Sequence, residues 1–306
     1  MSYKKVERVK TITEYQRSRG LPKPEHPLIS LIDYETIKHA PENNTTNWVL
    51  DFYSISLKRN FDAKIKYGQS EYDFDEGVMF FISPGQVFSI EVQKNPNPKR
   101  SGWTLLIHPD FLWNSSLSKT IKHYDYFDYS SNEALFLSDK EEKTVVEILK
   151  NIRHEYQSNI DSYSQHLIIA QLELLFTYAE RFYHRQFITR KIPNHKILNQ
   201  LEDALADYFA SESLSKAGMP SVHYIAEKLN ISPNYLSNLL KVLTGQSTQQ
   251  HIHDKLIEKA KEKLSTTDLS VGEIAYSLGF EHTQSFSRLF KLKSKVSPQE
   301  FRSGFN

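Results

Sequence analysis

Two short sets of polar side chains carry chemistry in their types and spacing. The first is Asn234, Ser237 and Asn238; the second is Thr283, Gln284, Ser287 and Arg288. Residues three and four apart share one side of a helix. Asn and Gln amides can make paired hydrogen bonds to adenine, Arg to guanine, and Ser or Thr hydroxyls to either. Ser232, Lys241, Lys291 and Lys293 flank the two sets and suit contacts to phosphate, which fix register without reading sequence. The chemistry on offer is hydrogen bonding to base edges and to a nucleic-acid backbone.

The elements that must position these groups form an internal repeat. Residues 221–230 read SVHYIAEKLN and residues 270–279 read SVGEIAYSLG. Val222, Ile225, Ala226 and Leu229 match Val271, Ile274, Ala275 and Leu278 at an offset of 49; Ser237, Leu239, Lys241 and Ser247 match Ser287, Leu289, Lys291 and Ser297 at an offset of 50. Each copy has the parts of a helix-turn-helix. Ser221 or Ser270 caps a short helix, and Ser270 with Glu273 makes a capping box. Ala226 or Ala275 stands where two helices cross closely. Asn230 or Gly279 tolerates the left-handed turn, and Ile231 or Phe280 plugs the core behind it. Ser232 and Pro233 then start the second helix of the first copy.

Leu236, Leu239, Leu240 and Leu243 are expected to pack inward in the first copy, and Phe286, Leu289 and Phe290 in the second. Asn234, Tyr235, Ser237, Asn238 and Lys241 remain outward in one; His282, Thr283, Gln284, Ser287, Arg288 and Lys291 do so in the other. A connecting helix over about 254–264 sets their separation. Two such helices about 34 Å apart reach successive major grooves on one face of a duplex. From Lys228 to Arg302 there are 11 basic and 7 acidic residues, and from His282 to Lys295 four basic residues and no acid.

Residues 194–306 resemble the DNA-binding domain of the AraC/XylS family of bacterial transcription regulators. The resemblance rests on segment 255–302, with its connecting helix, the I-A-x-x-x-G-F turn, the F-x-R-x-F-K helix and the terminal S-P-x-x-F-R. It implies two helix-turn-helix units on one all-α domain, binding to double-stranded promoter DNA, and a regulator that works with RNA polymerase. By position, the base-reading residues it implies are Asn234, Ser237 and Asn238, then Thr283, Gln284, Ser287 and Arg288. Three departures stand out. Lys295 replaces the family's usual Gly, Thr248 stands where Pro is frequent, and the first recognition helix has no arginine.

The first half reads differently. Tyr53, Ile55 and Leu57 alternate with Ser54, Ser56 and Lys58, the period of a half-buried strand whose polar face meets solvent. Val78–Ile82 is a short apolar run closed by Ser83-Pro84-Gly85. Phe88, Ile90 and Val92 alternate with Ser89, Glu91 and Gln93, Lys94–Gly102 is a loop, and Trp103–Ile107 is another strand. The strand pattern of 47–107, with residues 67–88 at its centre, resembles the cupin-like sensory domain that many AraC/XylS members carry. This implies a small β-barrel with a ligand pocket for a small-molecule effector, followed by a helical dimerisation segment. Ser138 or Asp139 caps a helix through Val145, Ile148, Leu149, Ile152 and Tyr156; a second runs from about 164 to 185 with Leu167, Ile168, Leu172, Leu175, Phe176 and Ala179 as its apolar set. These faces either close the barrel or join two protomers in a homodimer. The expected class is α+β: a cupin-like β domain over 1–138, a helical segment over 139–187, a linker over 188–193, and the all-α domain over 194–306.

Composition narrows the remaining classes. The 306 residues fit two domains. Basic and acidic residues number 38 and 37, a net charge of +1 that opposes polybasic binding. The absence of cysteine excludes thiolate metal sites, disulfides and cysteine nucleophiles. Residues 47–107 hold no histidine, which opposes a cupin metal centre, and His251 and His253 point to different faces of one helix. No P-loop, G-x-G-x-x-G or G-x-S-x-G occurs. No cofactor and no catalytic residue are expected. Asp73, Asp75 and Glu76 form an acidic turn, a hairpin tip in preference to a calcium site. Tyr53, Phe61, Tyr67, Tyr72, Phe74, Phe80, Phe81, Phe88 and Trp103 either fill the β core or line its pocket. No apolar run suits a secretory signal or a spanning helix, so a cytoplasmic location is expected. The competing readings are a cupin-type enzyme with an appended DNA-binding domain, and a constitutive DNA binder whose barrel only dimerises.

Overall fold

Apolar strands closed by turns pair, in the first half of the chain, into two sheets. The computed structural model describes residues 6–37, 47–59, 77–89, 101–130, 133–158, 161, 163–211, 214 and 218–304. A three-stranded sheet joins β1 (Val6–Val9), β3 (Asn47–Leu50) and β6 (Val87–Ser89), with β1 and β3 parallel. An antiparallel five-stranded sheet runs β2 (Ile29–Asp33), β7 (Ser101–Ile107), β4 (Tyr53–Arg59), β5 (Val78–Ile82) and β8 (Leu135–Phe136). Val9, Trp48 and Leu50 of the first sheet share one apolar cluster with Ile32 and Leu106 of the second and with Ile12 of α1 (Ile12–Ser18). The α+β class holds, with strand-rich sheets first and helices to the end of the chain. The acidic turn and Phe61, Tyr67, Tyr72, Phe74, Ile90 and Val92 lie outside the described residues.

Strand β4 departs from its expected half-buried form. Tyr53, Ile55 and Leu57 are buried, but so are Ser54, Ser56 and Lys58. Ser56 sits opposite Phe80 on β5 and Thr104 on β7, so this polar face looks into the unit and not into solvent. Alternation in a sequence reports two unlike faces; it does not say which one meets water.

A short helix α2 (Leu117–Thr120) and single 3-10 turns lead from β7 to β8. Two long helices follow. In α3 (Asp139–Gln157) the Glu141 carboxylate takes the Ser138 N–H at 2.9 Å, and Arg185 grips the same carboxylate at 2.5 Å. Its apolar residues Val145, Ile148, Leu149, Ile152 and Tyr156 are buried, and the Tyr156 hydroxyl accepts the Leu31 N–H of edge strand β2. In α4 (Ser164–Thr189) Ile168, Leu172, Leu175, Phe176, Ala179 and Tyr183 are buried. Tyr126 donates to the Phe176 carbonyl at 3.2 Å and Tyr183 to the Glu133 carbonyl at 3.1 Å. Both apolar faces therefore pack within the first unit. Leu167, expected among them, is instead 52% exposed, with Leu174 exposed seven residues on.

The chain divides into two compact units, Met1–Gln186 and Phe187–Asn306. Residues 188–193, expected as a linker, are helical on either side of Arg190, where α5 (Lys191–Ala210) begins. Pro193, the breaker signal, falls in the first turn of α5, where a missing N–H costs no hydrogen bond. No helix among the described residues is long and apolar enough to cross a membrane.

Phe176 has no exposed surface and packs against the Tyr124 and Phe127 rings at 5.2 and 5.7 Å. Phe176→Ala is expected to destabilise the first unit by about 3–5 kcal/mol, read as a lower urea midpoint; a change below 1 kcal/mol would place α4 outside the core.

Candidate nucleic-acid interface

The repeat folds as two matching turns. Helix α6 (Val222–Leu229) is capped by Ser221, which accepts the Tyr224 N–H, and ends at Asn230 with φ 58° and ψ 40°. The Ile231 N–H then reaches back to the Ala226 carbonyl at 3.0 Å. Helix α9 (Val271–Ser277) is capped by Ser270 with the reciprocal Glu273 bond, passes Gly279 at φ 81°, and sends the Phe280 N–H to the Ala275 carbonyl at 3.0 Å. Each turn satisfies orphan carbonyls and reverses the chain through one left-handed residue. Ala226 and Ala275 are buried at these crossings, as expected.

The two copies share one apolar core. Leu236 and Leu240 of α7 (Pro233–Thr244) and Phe286 and Phe290 of α10 (Thr283–Ser294) cluster with Ile252, Leu256, Ala260 and Leu264 of α8 (Thr248–Thr266). The connecting helix is longer than its expected 254–264 span, because Ser247 caps it with Gln250 six residues earlier. At about 1.5 Å per residue its 19 residues span about 28 Å. Ser297 caps α11 (Pro298–Ser303) in the same way, Phe301 packs on Phe290 at 5.6 Å, and Arg302 donates to the Leu269 carbonyl at 2.6 Å. The terminal S-P-x-x-F-R is thus a clasp holding the second copy to the core.

The outward residues divide by copy. On α10, Gln284, Arg288 and Lys291 are exposed, with Thr283 and Ser287 half-buried beside them. Among the described residues no hydrogen bond or ion pair holds the Arg288 guanidinium. Ser285, not anticipated, is exposed next to Gln284; its helical position gave that signal. On α7, Asn234 and Asn238 are half-buried and Lys241 is exposed. Three expectations change. Tyr235 is buried, its ring 5.1 Å from Phe187. The Ser237 hydroxyl pairs with that of fully buried Thr248 at 3.1 Å, so it is directed at the connecting helix. Ser232 is buried as the N-cap of α7 and accepts the Tyr235 N–H. In the second copy, the Lys293 ammonium lies 2.6 Å from Asp254, which neutralises a charge expected to meet phosphate.

Two helix-turn-helix units on one core, with an exposed Gln–Arg–Lys face on the second, define this unit as an AraC/XylS-type helix-turn-helix domain. Residues 225–304 match the family model described as a helix-turn-helix domain, which supports an AraC/XylS-type domain in this unit. It is 33% identical over 137 residues to the HTH-type transcriptional activator RhaS of Salmonella paratyphi B, covering 44% of this chain and 47% of that protein. The match to RhaS of Salmonella newport has the same identity and extent. The chain spans about half the length of the curated relatives it matches. Among solved structures, it is similar to the C-terminal domain of the two-component response regulator yesN from Fusobacterium nucleatum. There the identity is 31% over 33% of this chain and 96% of that one, with a TM-score of 0.29. ToxT from Vibrio cholerae matches at 15% identity over 90% of this chain and 98% of that one, with a TM-score of 0.30.

Backbone strain separates the two copies. Gly245 ends α7 at φ 75°, while Lys295, 50 residues on, ends α10 at φ 68° and pays the cost of a side chain there. Lys295→Gly is expected to stabilise the domain by about 1 kcal/mol. A Cβ at Gly279 would stand 2.7 Å from Gly218 Cα and 2.8 Å from the Leu214 carbonyl oxygen. Gly279→Ala is accordingly expected to destabilise by about 2 kcal/mol or more. Thermal unfolding measures both; an unchanged midpoint in either variant would contradict the corresponding assignment.

Burial also lowers the pKa of His251, whose Nε2 lies 2.9 Å from the Thr244 hydroxyl. Its folded pKa lies below the unfolded value of about 6.5, so the unfolded chain binds more protons as pH falls. Stability is expected to decline as pH drops below about 6.5, and the decline to be smaller in His251→Gln. An identical pH profile for the variant would refute this.

Proposed function

We propose that the chain is a sequence-specific DNA-binding transcription regulator that inserts its two recognition helices into successive major grooves of promoter DNA. The observation that carries this reading is the exposed face of α10, where Gln284 and Arg288 stand with Lys291 on a core-anchored helix. The base-reading set is Asn234, Asn238, Thr283, Gln284, Ser287 and Arg288, with the second copy dominant because the Ser237 hydroxyl is engaged by Thr248. Lys241 and Lys291 are the phosphate contacts. A small-molecule effector bound in the first unit favours one arrangement of the protein over another; an interior cavity lined by Ser54, Ser56 and Lys58 supports this. A homodimer through the exposed side of α4, where Leu167 and Leu174 are seven apart, and a contact to RNA polymerase complete the reading.

Fluorescence anisotropy on upstream duplex fragments at two salt concentrations tests it; no sequence preference at either would sink the claim. Arg288→Ala is expected to cost about 1–3 kcal/mol on the preferred duplex and to relax discrimination at one base pair. Lys291→Ala should weaken all duplexes alike and reduce the salt slope by about one. Unchanged specificity in Arg288→Ala would remove its base-reading role.

A further inference from the structure

Edge strand β2 faces α3 across an open cleft of about 320 Å³, within the usual size of small-molecule sites. Two contacts fix how the strand and the helix run. The Gln157 amide donates to Glu25, just before β2, at 3.0 Å, and the Leu31 N–H donates to the Tyr156 hydroxyl at 3.0 Å. The two elements are therefore antiparallel, and Arg153, one helical turn back from Gln157, stands at the level of Asp33. Both line the cleft and are half-buried, yet no ion pair joins them. The Arg153 guanidinium makes no hydrogen bond or ion pair among the described residues. The Asp33 carboxylate accepts the Glu35 N–H at 3.0 Å through one oxygen, which leaves the second open. Gln16, 6% exposed, also lines the cleft: its amide donates to the Ser30 hydroxyl at 2.7 Å, and its amide oxygen has no hydrogen-bond partner among the described residues. The cleft shares no described lining residue with the interior cavity.

We propose that this cleft binds a free α-amino acid with an uncharged side chain, its carboxylate on Arg153 and its ammonium on Asp33. Opposite charges that face each other across a gap without meeting suit a ligand that carries both charges and stands between them. A guanidinium grips a carboxylate through two parallel N–H donors, and the open Asp33 oxygen can accept from an ammonium. A ligand with one charge satisfies one side and covers the other ion without pairing it, which costs desolvation. The Gln16 amide oxygen offers an acceptor to a further N–H or O–H of the ligand. The remaining charged lining residues, Lys23 and Glu25, are exposed and opposite in sign, so they favour neither an anion nor a cation. Leu21, Pro22 and Pro24 give the side chain an uncharged wall. The inference goes beyond the effector reading of the interior cavity and does not depend on it, since it assigns a second site in the first unit.

The test is calorimetric titration of the full chain with leucine, glutamine and serine, each beside its amino amide, which lacks the carboxylate, and its N-acetyl derivative, which lacks the ammonium. At least one amino acid is expected to bind ten-fold or more tighter than both of its derivatives. Arg153→Gln should weaken that amino acid at least ten-fold and close the gap to its amide. Asp33→Asn keeps an oxygen for the Glu35 N–H and should weaken it as much while closing the gap to the N-acetyl derivative. The comparison of derivatives uses the unaltered protein and so decides the matter even where a variant fails to fold. No binding by any of the amino acids, equal binding of either derivative, or unaffected binding in folded Arg153→Gln or Asp33→Asn would each overturn the proposal.

Discussion

A helix-turn-helix depends on reversing the chain in one residue while two helices stay in contact. Here Asn230 and Gly279 supply the left-handed residue, and Ala226 and Ala275 let the helices cross. Each following N–H closes onto the carbonyl of that alanine. The rest of the domain follows from this constraint. Once each turn is fixed, the apolar side of the second helix must meet the shared core, and the polar side is left outward. The clasp of Ser297, Phe301 and Arg302 then holds the second copy against α8. Gly279 meets a further demand that Asn230 does not, since its backbone approaches that of Gly218 and Leu214. The same turn thus uses two residue types for separate steric reasons.

The near-neutral charge agrees with a reading surface made of placed side chains. Residues 194–306 carry 13 basic and 12 acidic groups. Of the four basic residues between His282 and Lys295, Lys293 is held by Asp254, which leaves Arg288, Lys291 and Lys295 outward. Non-specific affinity grows with the number of neutralised phosphates, so few outward cations keep that background low. The first copy offers amides in place of guanidinium groups, and its Ser237 serves the interior. The two copies are alike in fold and unlike in surface.

In the first unit the decisive constraint is burial on both faces of β4. A lysine in such a place must be compensated, and the Tyr34 and Phe80 rings provide part of that. The helices α3 and α4 cover this unit with their apolar faces. Their buried sides close it, and Leu167 and Leu174 remain on the other side of α4.

Local features were legible in the sequence because their physics is local. Caps at Ser221, Ser270 and Ser138, the left-handed turns at Asn230 and Gly279 and the α+β class all follow from backbone preference and apolar period, while the strain at Lys295 follows from the family resemblance, which places Gly there. What the sequence could not decide was which partner covers each polar face. Tyr235 turned inward because Phe187, distant in sequence, packs on it; Ser237 and Lys293 were claimed by Thr248 and Asp254. Pro193 signals a break in sequence, but a proline's cost depends on its position in a turn, and in the first turn of α5 it is tolerated. The alternation in β4 signals a half-buried strand, yet its polar face is buried, because alternation carries no information about a second layer. Sequence determined where the chain turns and which residues share a face; only tertiary packing decided which face meets water, since burial depends on elements far along the chain.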